Sequence, residues 1–309
     1  MHKNITKDYK KAAKDDFKNV TKQDQEIANK LEIDDRVYTT TEREAFLTIK
    51  DHKPNFVNNP TFRLINPTKQ ELGKVSKQKL ETIVKVVQKD SGLKLWKNTS
   101  AVITWFKSLP NKEQLRFIQF DICEFYPSIS ERLLDKAIKF AEKYVAINDE
   151  DKKLFFHTKK SFLFNEKQSW IKRKNSECDV TMGSYDGAET CELCDLYLLS
   201  LLSKVIPDLG LYRDDGLAVV RTTARQGEKL AQKLVKVFDG EGLKITVSTN
   251  KHTVDFLDVT LDLRSGEFRP YMKPNDTPLY VHSQSNHPRK VLENIPLAVN
   301  DRLSRISAN

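Results

Sequence analysis

Three aspartates stand where strands end. Asp121 closes FIQFDI, a run rich in β-branched and aromatic residues that reads as a strand. Asp214 and Asp215 lie in YRDDG, between the apolar arms LGLY and LAVV, the pattern of a tight β-hairpin around an Asp-Asp-Gly turn. A strand ending in one acid and a hairpin tip bearing two more, with helices between them, bring three carboxylates to one edge of an antiparallel sheet. Carboxylates packed that closely repel and stay ionised only where cations neutralise them. Hard oxygen ligands with open positions suit Mg²⁺ held jointly with a substrate phosphate. Two such ions, about 3.5–4 Å apart, activate an attacking hydroxyl and stabilise a leaving pyrophosphate. A lone Asp-Asp-Gly turn is also common for conformational reasons, so its company decides the reading.

The elements that must position these acids are legible in outline. Residues 1–30 read as a polar helix, and EAFLTI (44–49) and FRLIN (62–66) as short strands flanking a loop with HKP and NNP turn signals. Apolar residues at Val75, Leu80, Ile83, Val84 and Val87 recur at helical spacing, and residues 101–109 form a second helical piece. LRFIQFDI (115–122) is the acid-bearing strand, and PSIS (127–130) opens a long amphipathic helix through Val145. A charged helix (149–160), a glycine turn (182–187), a Leu-rich helix (188–205), the hairpin and a further helix (224–238) follow. LKITV (243–247), TVDFLDVTLDL (253–263) and FRPYM (268–272) are strands, and a terminal helix begins at His287.

With 309 residues, 39% hydrophobic and 31% charged, the chain is of a size for one large domain or two to three joined subdomains. No apolar run reaches the roughly 18–20 residues that span a bilayer, and the amino end lacks an apolar signal region. Four cysteines fit a reduced compartment, so the expected location is intracellular, nucleus or cytoplasm. The net charge of +9 is uneven: residues 50–97 hold eleven Lys or Arg against four Asp or Glu, or +7. This is a footprint suited to polyphosphate, though lysine-rich helix faces are also ordinary solvated surface.

FDICEFYPSI, MGSYDG, YRDDGL and STNKHTVDFLDVTLDL occur in that order, and over residues 46–263 the chain resembles the reverse transcriptases, most of all those of non-LTR and Penelope-like retroelements. The resemblance implies an α+β right-hand polymerase. Its parts would be an N-terminal helical extension (1–42), fingers (43–114), a palm with a split βαβ antiparallel sheet (115–263, with a fingers insertion near 147–180), and a post-palm hairpin with a short or truncated thumb (264–309). It implies two Mg²⁺ ions, with Mn²⁺ as a substitute, dNTPs, an RNA template with a DNA or RNA primer, and an endonuclease elsewhere in a longer polyprotein.

The same resemblance assigns roles. Asp121 matches the first metal-binding aspartate, with the Ile122 carbonyl as an extra ligand; Asp214 matches the second, and Asp215 the third acid position. Tyr126 matches the aromatic residue that stacks under the incoming sugar and collides with a 2′-hydroxyl; beside Phe125 it also reads as a core aromatic. Lys50 or Lys53, together with Arg63, matches the fingers cations that grip the triphosphate. Gly183 matches the glycine that admits the template-nucleotide pair, although Met182 replaces the Gln of most relatives. Lys251 matches a general acid near the pyrophosphate or is surface, and 256–263 resembles the hairpin supporting the primer end. Lys74, Lys77, Lys79 and Lys85 are the expected nucleic-acid contacts. Asp186 and Glu189 read as turn and capping groups. Cys191 and Cys194 read as helix-core cysteines, without the second ligand pair a zinc site needs. The rival expectations are an RNA-dependent RNA polymerase and an inactive retroelement remnant that only binds nucleic acid.

Overall fold

A computed structural model describes residues 9–36, 44–49, 58, 60–67, 71–160, 162–165, 168–172, 180–272 and 281–307. Lys50 and Lys53 lie outside the described residues. In chain order the strands are β1 (Tyr9–Lys11), β2 (Phe46–Ile49), β3 (Phe62–Ile65), β4 (Arg116–Ile122), β5 (Leu163–Asn165), β6 (Gln168–Lys172), β7 (Leu209–Tyr212), β8 (Asp215–Val220), β9 (Ile245–Lys251), β10 (Thr253–Phe256), β11 (Val259–Asp262) and β12 (Phe268–Pro270). The helices are α1 (Lys14–Lys30), α2 (Glu71–Ser91), α3 (Thr99–Ser108), α4 (Phe125–Ser128), α5 (Glu131–Ala141), α6 (Asp149–His157), α7 (Gly187–Leu202), α8 (Ala224–Gly240) and α9 (Arg289–Ile306). Among the described residues no helix is long and apolar enough to cross a membrane.

Two compact units share these elements, each built from discontinuous segments. The first holds Met1–Leu95, Ile122–Leu202 and Val237–Lys244. Its α2 buries Leu72, Leu80, Ile83, Val84 and Val87, the helical spacing seen in the sequence. Helix α7 is apolar nearly all round and is buried accordingly, Leu193, Leu196, Leu198, Leu199, Cys191 and Cys194 included. A hairpin of β2 and β3 and a sheet in the order β1-β6-β5 complete the unit. The amino end departs from expectation: residues 9–11 pair with β6, and only then does the helix begin. Helix α1 is held by Asp24, whose carboxylate meets His157 Nε2 at 2.6 Å with both side chains buried.

The helix expected from Pro127 to Val145 is broken. Ile129 and Ser130 take extended backbone, and the Ser130 hydroxyl accepts from the Leu133 N–H, so α5 starts afresh at Glu131. A capping serine has non-helical backbone by nature, and here it outweighs the continuous apolar pattern.

The second unit holds Trp96–Asp121, Ser203–Lys236 and Ile245–Asn309. Its main sheet has the order β7-β8-β4-β9, with β8 antiparallel to both β7 and β4. Phe117, Leu217 and Val219 pack into a core with Trp96, Trp105, Phe106 and Phe256. The stretch expected as one strand at 253–263 folds back as a hairpin of β10 and β11, with Leu257 at φ +53° in the turn.

Candidate active site

The acids sit at one end of the second unit's main sheet. Asp121 is in direct register with Asp215 across β4 and β8, and Tyr212 pairs with Asp215 across β7 and β8. Residues directly opposite on antiparallel strands point to the same face with Cβ atoms about 4.5–5.5 Å apart. The turn itself is Arg213 and Asp214, so Asp215 opens β8 rather than standing in the loop. Arg213 takes φ +54°, the left-handed region, at a cost of about 1 kcal/mol for a residue with a Cβ. Its guanidinium lies over the Tyr212 ring, 5.5 Å from the centroid, a cation–π contact that occupies the one cation of the turn. Asp121 and Asp214 are exposed and Asp215 is half-buried.

Gly216 makes this arrangement possible. The next register pair below the acids is Phe120 with Gly216. A Cβ at Gly216 would lie 2.1 Å from Phe120 Cζ, so the ring occupies the space that any side chain would need.

A cleft of about 660 Å³ opens beside Asp215, between Gln119, Tyr212, the β10–β11 turn and Arg302 of α9. Gln119 donates to the Asp255 carbonyl at 2.8 Å, and Arg302 meets Asp258 at 2.8 Å. The turn resembling a primer-supporting hairpin is therefore fixed on both sides, to β4 and to α9.

Among the described residues no three His, Cys, Asp or Glu side chains gather into a group that holds a metal ion by itself. Magnesium does not demand one: it keeps waters and is bound by one or two carboxylates plus substrate phosphates. Exposed Asp121 and Asp214 with half-buried Asp215 at one strand end supply that all-oxygen donor set, and the residues fit the ion.

Lys251 belongs elsewhere. The Cys123 N–H donates to the Lys244 carbonyl and the Ser248 hydroxyl to the Gln119 carbonyl, so β9 runs antiparallel to β4 and Lys251 lies level with Arg116. That is five residues from Asp121 along β4, about 16 Å at 3.3 Å per residue. The chain's turn pattern after GLKI resembles the family's, but the strand register carries the lysine to the opposite end of the sheet.

The remaining expected residues are in the first unit. Arg63 is exposed on β3 opposite Thr48. The end of β3 bridges to the glycine turn: the Asn66 N–H donates to the Met182 carbonyl at 2.8 Å, and Ile65 pairs with Met182. Gly183 takes φ +108°, and a Cβ there would stand 2.8 Å from the Asn66 carbonyl oxygen, so both conformation and crowding require glycine. The glycine turn is thus joined to the end of β3 at Ile65 and Asn66, two and three residues beyond Arg63. Tyr126, half-buried on α4, hydrogen-bonds the Cys191 thiol, which burial pushes well above its ordinary pKa.

Asp186 is a correction. It stands just before α7, where its carbonyl accepts the Thr190 N–H at 2.9 Å, but its carboxylate is the centre of a buried cluster, 2.6 Å from Lys159 Nζ and accepting from Thr158 at 2.8 Å and from Ser76. Lysines on α2 are also less available than their number implied. Lys74 pairs with Glu71, Lys77 with Glu81 and Glu189, and Lys79 with Asp151. Lys85 is exposed with no such partner among the described residues.

No protein-family model matches the sequence, and no curated protein does. Solved structures match. Apo telomerase from Candida tropicalis is similar with a TM-score of 0.58 at 11% identity, over 87% of this chain and 52% of that one. Telomerase from Candida albicans, in complex with the TWJ fragment of telomeric RNA, gives 0.55 at 11% identity over 89% and 49%. The RNA-dependent RNA polymerase of BmCPV at elongation state gives 0.56 at 10% identity over 92% and 27%. The fold is a polymerase fold. It is the mixed α/β arrangement, with antiparallel sheets, of polymerase palm and fingers, and the chain spans about half the length of these telomerases.

Sequence reasoning overlooked three parts of this polymerase fold. Gly216 reads as a turn glycine in the sequence, yet its role is set by Phe120. Asp186 has only MGSYDG to mark it, because its partners come from two distant places in the chain, Ser76 and the Thr158–Lys159 turn. Arg302 was hidden in an unremarkable terminal helix, and no local signal links it to Asp258.

Proposed function

We propose that this chain is the polymerase portion of a retroelement reverse transcriptase, extending a primer 3′-OH with dNTPs on an RNA template. The observation that carries the reading is the register pair of Asp121 and Asp215 with Asp214 in the adjoining turn, on a polymerase fold. The order of FDICEFYPSI, MGSYDG and YRDDGL supports the finer assignment to reverse transcription. The proposed boundaries are fingers at 43–114, palm at 115–263 and post-palm from 264, after a helical extension at 1–42.

Asp121 and Asp214 are assigned to hold two Mg²⁺, with the Ile122 carbonyl as an extra ligand and Asp215 tuning the acid pair. When bound, the ions would supply the Lewis acidity that lowers the pKa of the primer hydroxyl and offsets charge on the pyrophosphate. Arg63 is assigned to the triphosphate, where its fork matches phosphate oxygens. Tyr126 is assigned to sugar selection, and its hydrogen bond to Cys191 limits the ring's freedom. Gly183 leaves its backbone open to the nascent pair, and the cleft between Gln119 and the β10–β11 turn takes the primer end.

Primer extension on poly(rA)/oligo(dT) with labelled dTTP and Mg²⁺ tests this. Wild type incorporates; Asp214→Asn loses incorporation while binding the hybrid normally, because it removes a metal ligand and no phosphate contact. Equal incorporation by both proteins refutes the metal assignment. Incorporation of rNTPs as readily as dNTPs favours the RNA polymerase reading, which the BmCPV likeness also supports.

A further inference from the structure

Exposed cations on most helices of this protein have a carboxylate beside them: Lys22 with Glu26, Lys30 with Glu150, Lys139 with Asp135 and Arg289 with Glu293. Helix α8 differs. Between residues 221 and 236 the chain carries five basic residues and a single acid, Glu228. Arg225, Lys229 and Lys233 recur every fourth residue and so follow one side of the helix, about 6 Å apart, with Lys236 one turn further. All four are exposed, and among the described residues none has a carboxylate at ion-pair distance.

The stripe continues onto the sheet end farthest from the acids. The Asn250 amide donates to the Ala224 carbonyl at 3.2 Å, fixing the start of α8 against the β9–β10 turn. Arg116 opposes Val220, just ahead of Arg221, and the β9 register sets Lys251 level with Arg116. Burial first, and then the charges of Arg264 and Arg116, hold the His252 imidazole below its ordinary pKa, with Asp262 opposing. Arg116, Arg264 and Lys251 thus stand at this end of the sheet with Asp262 as the acid beside His252.

We propose that the exposed side of α8 and this end of the sheet are a docking surface for the phosphodiester backbone of RNA, separate from the acid tip. The choice of RNA as the polyanion rests on the polymerase reading; the surface itself does not. An anionic membrane fits less well. A helix that docks on lipid presents apolar residues beside its cations, whereas Ala231 and Leu234 of α8 are turned into the fold, at 5% and 0% exposure. The sheet-end part of the surface, level with Arg116, lies about 16 Å from Asp121 along β4 and would hold template that is not being copied.

The test is anisotropy of a labelled, unstructured RNA oligonucleotide across a salt series, without dNTPs or metal. Each cation bound to single-stranded RNA adds about 0.7 to the slope of log K against log salt, so Arg225→Gln/Lys229→Gln/Lys233→Gln lowers the slope by about 2 and weakens binding about a hundredfold at about 0.1 M salt. Extension of a short primer–template is unchanged by the same substitutions. Each single variant lowers the slope by about 0.7, which separates charge loss from misfolding of the triple variant. An unaltered slope in the triple variant overturns the proposal. So does unaltered RNA binding combined with lost binding to phosphatidylserine vesicles, which would make the surface a membrane contact. Wild type that binds RNA with the expected slope yet incorporates nothing refutes the polymerase reading alone.

Discussion

Gly216→Ala places a methyl group where the structure has an aromatic ring. The new Cβ would lie 2.1 Å from Phe120 Cζ and 2.2 Å from Cε2, against an optimal carbon–carbon separation of about 3.5–4.0 Å. The overlap of about 1.5 Å must be taken up by the ring or by separation of β4 from β8. Phe120 is 2% exposed, so the ring cannot swing into solvent. Overpacking of this kind costs about 1–3 kcal/mol, and the absence of slack argues for the upper half of that range. In urea, with a slope of roughly 2–3 kcal/mol/M, the unfolding midpoint falls by roughly 1 M. Because the pair adjoins Asp121 and Asp215, primer extension at temperatures where the variant is folded should fall as well. Phe120→Leu removes the far edge of the ring, so Gly216→Ala/Phe120→Leu should be less destabilised than the sum of its singles. A midpoint unchanged in Gly216→Ala, or additive behaviour in the double variant, refutes the claim that this ring dictates the glycine.

Asp186→Asn leaves Lys159, 1% exposed, as a buried charge without its counterion, and thermal unfolding should report a loss of about 3–5 kcal/mol. Lys159→Met/Asp186→Leu should recover much of that, and equal loss in both would show that the ion pair is not the cause. Tyr126→Ala should raise rNTP incorporation relative to dNTP; unchanged discrimination moves the sugar gate elsewhere. His252 is held below 6.5 in the folded chain, so protonation favours the unfolded state: stability is fully present above 6.5 and declines as the pH falls through the folded value. Urea midpoints compared between about pH 7.5 and 5.5 should fall more in wild type than in His252→Gln, and parallel profiles would remove His252 as a source.

Local chemistry was enough for much of this protein. The hairpin between LGLY and LAVV, the acid at the end of β4, the apolar spacing of α2 and the buried helix carrying Cys191 and Cys194 all follow from periodicity and turn preferences, which act over a few residues, although the turn falls on Arg213 and Asp214 rather than on Asp-Asp-Gly. The same locality explains the errors. Pro127 and the apolar pattern after it favoured one long helix, while the hydroxyl of Ser130 restarted it. The run 253–263 reads as strand on both sides of Leu257, where the apolar positions change from even to odd, and Leu257 adopts a left-handed backbone and folds it back.

What sequence spacing could not determine is register between strands that are distant in the chain. Whether Asp215 or Asp214 faces Asp121, and whether Lys251 lies at the acid end of the sheet or at the other, depends on how β8 and β9 slide along β4. Side-chain direction repeats every two residues, and a slip of one reverses every face, so the decision falls to packing. In the observed register Phe120 fills the space above Gly216, and Phe117, Leu217 and Val219 enter the core around Trp96; a slip of one residue would turn them to the other face. The types of the residues thus named the chemistry, and the packing of the sheet decided which of them are placed to perform it.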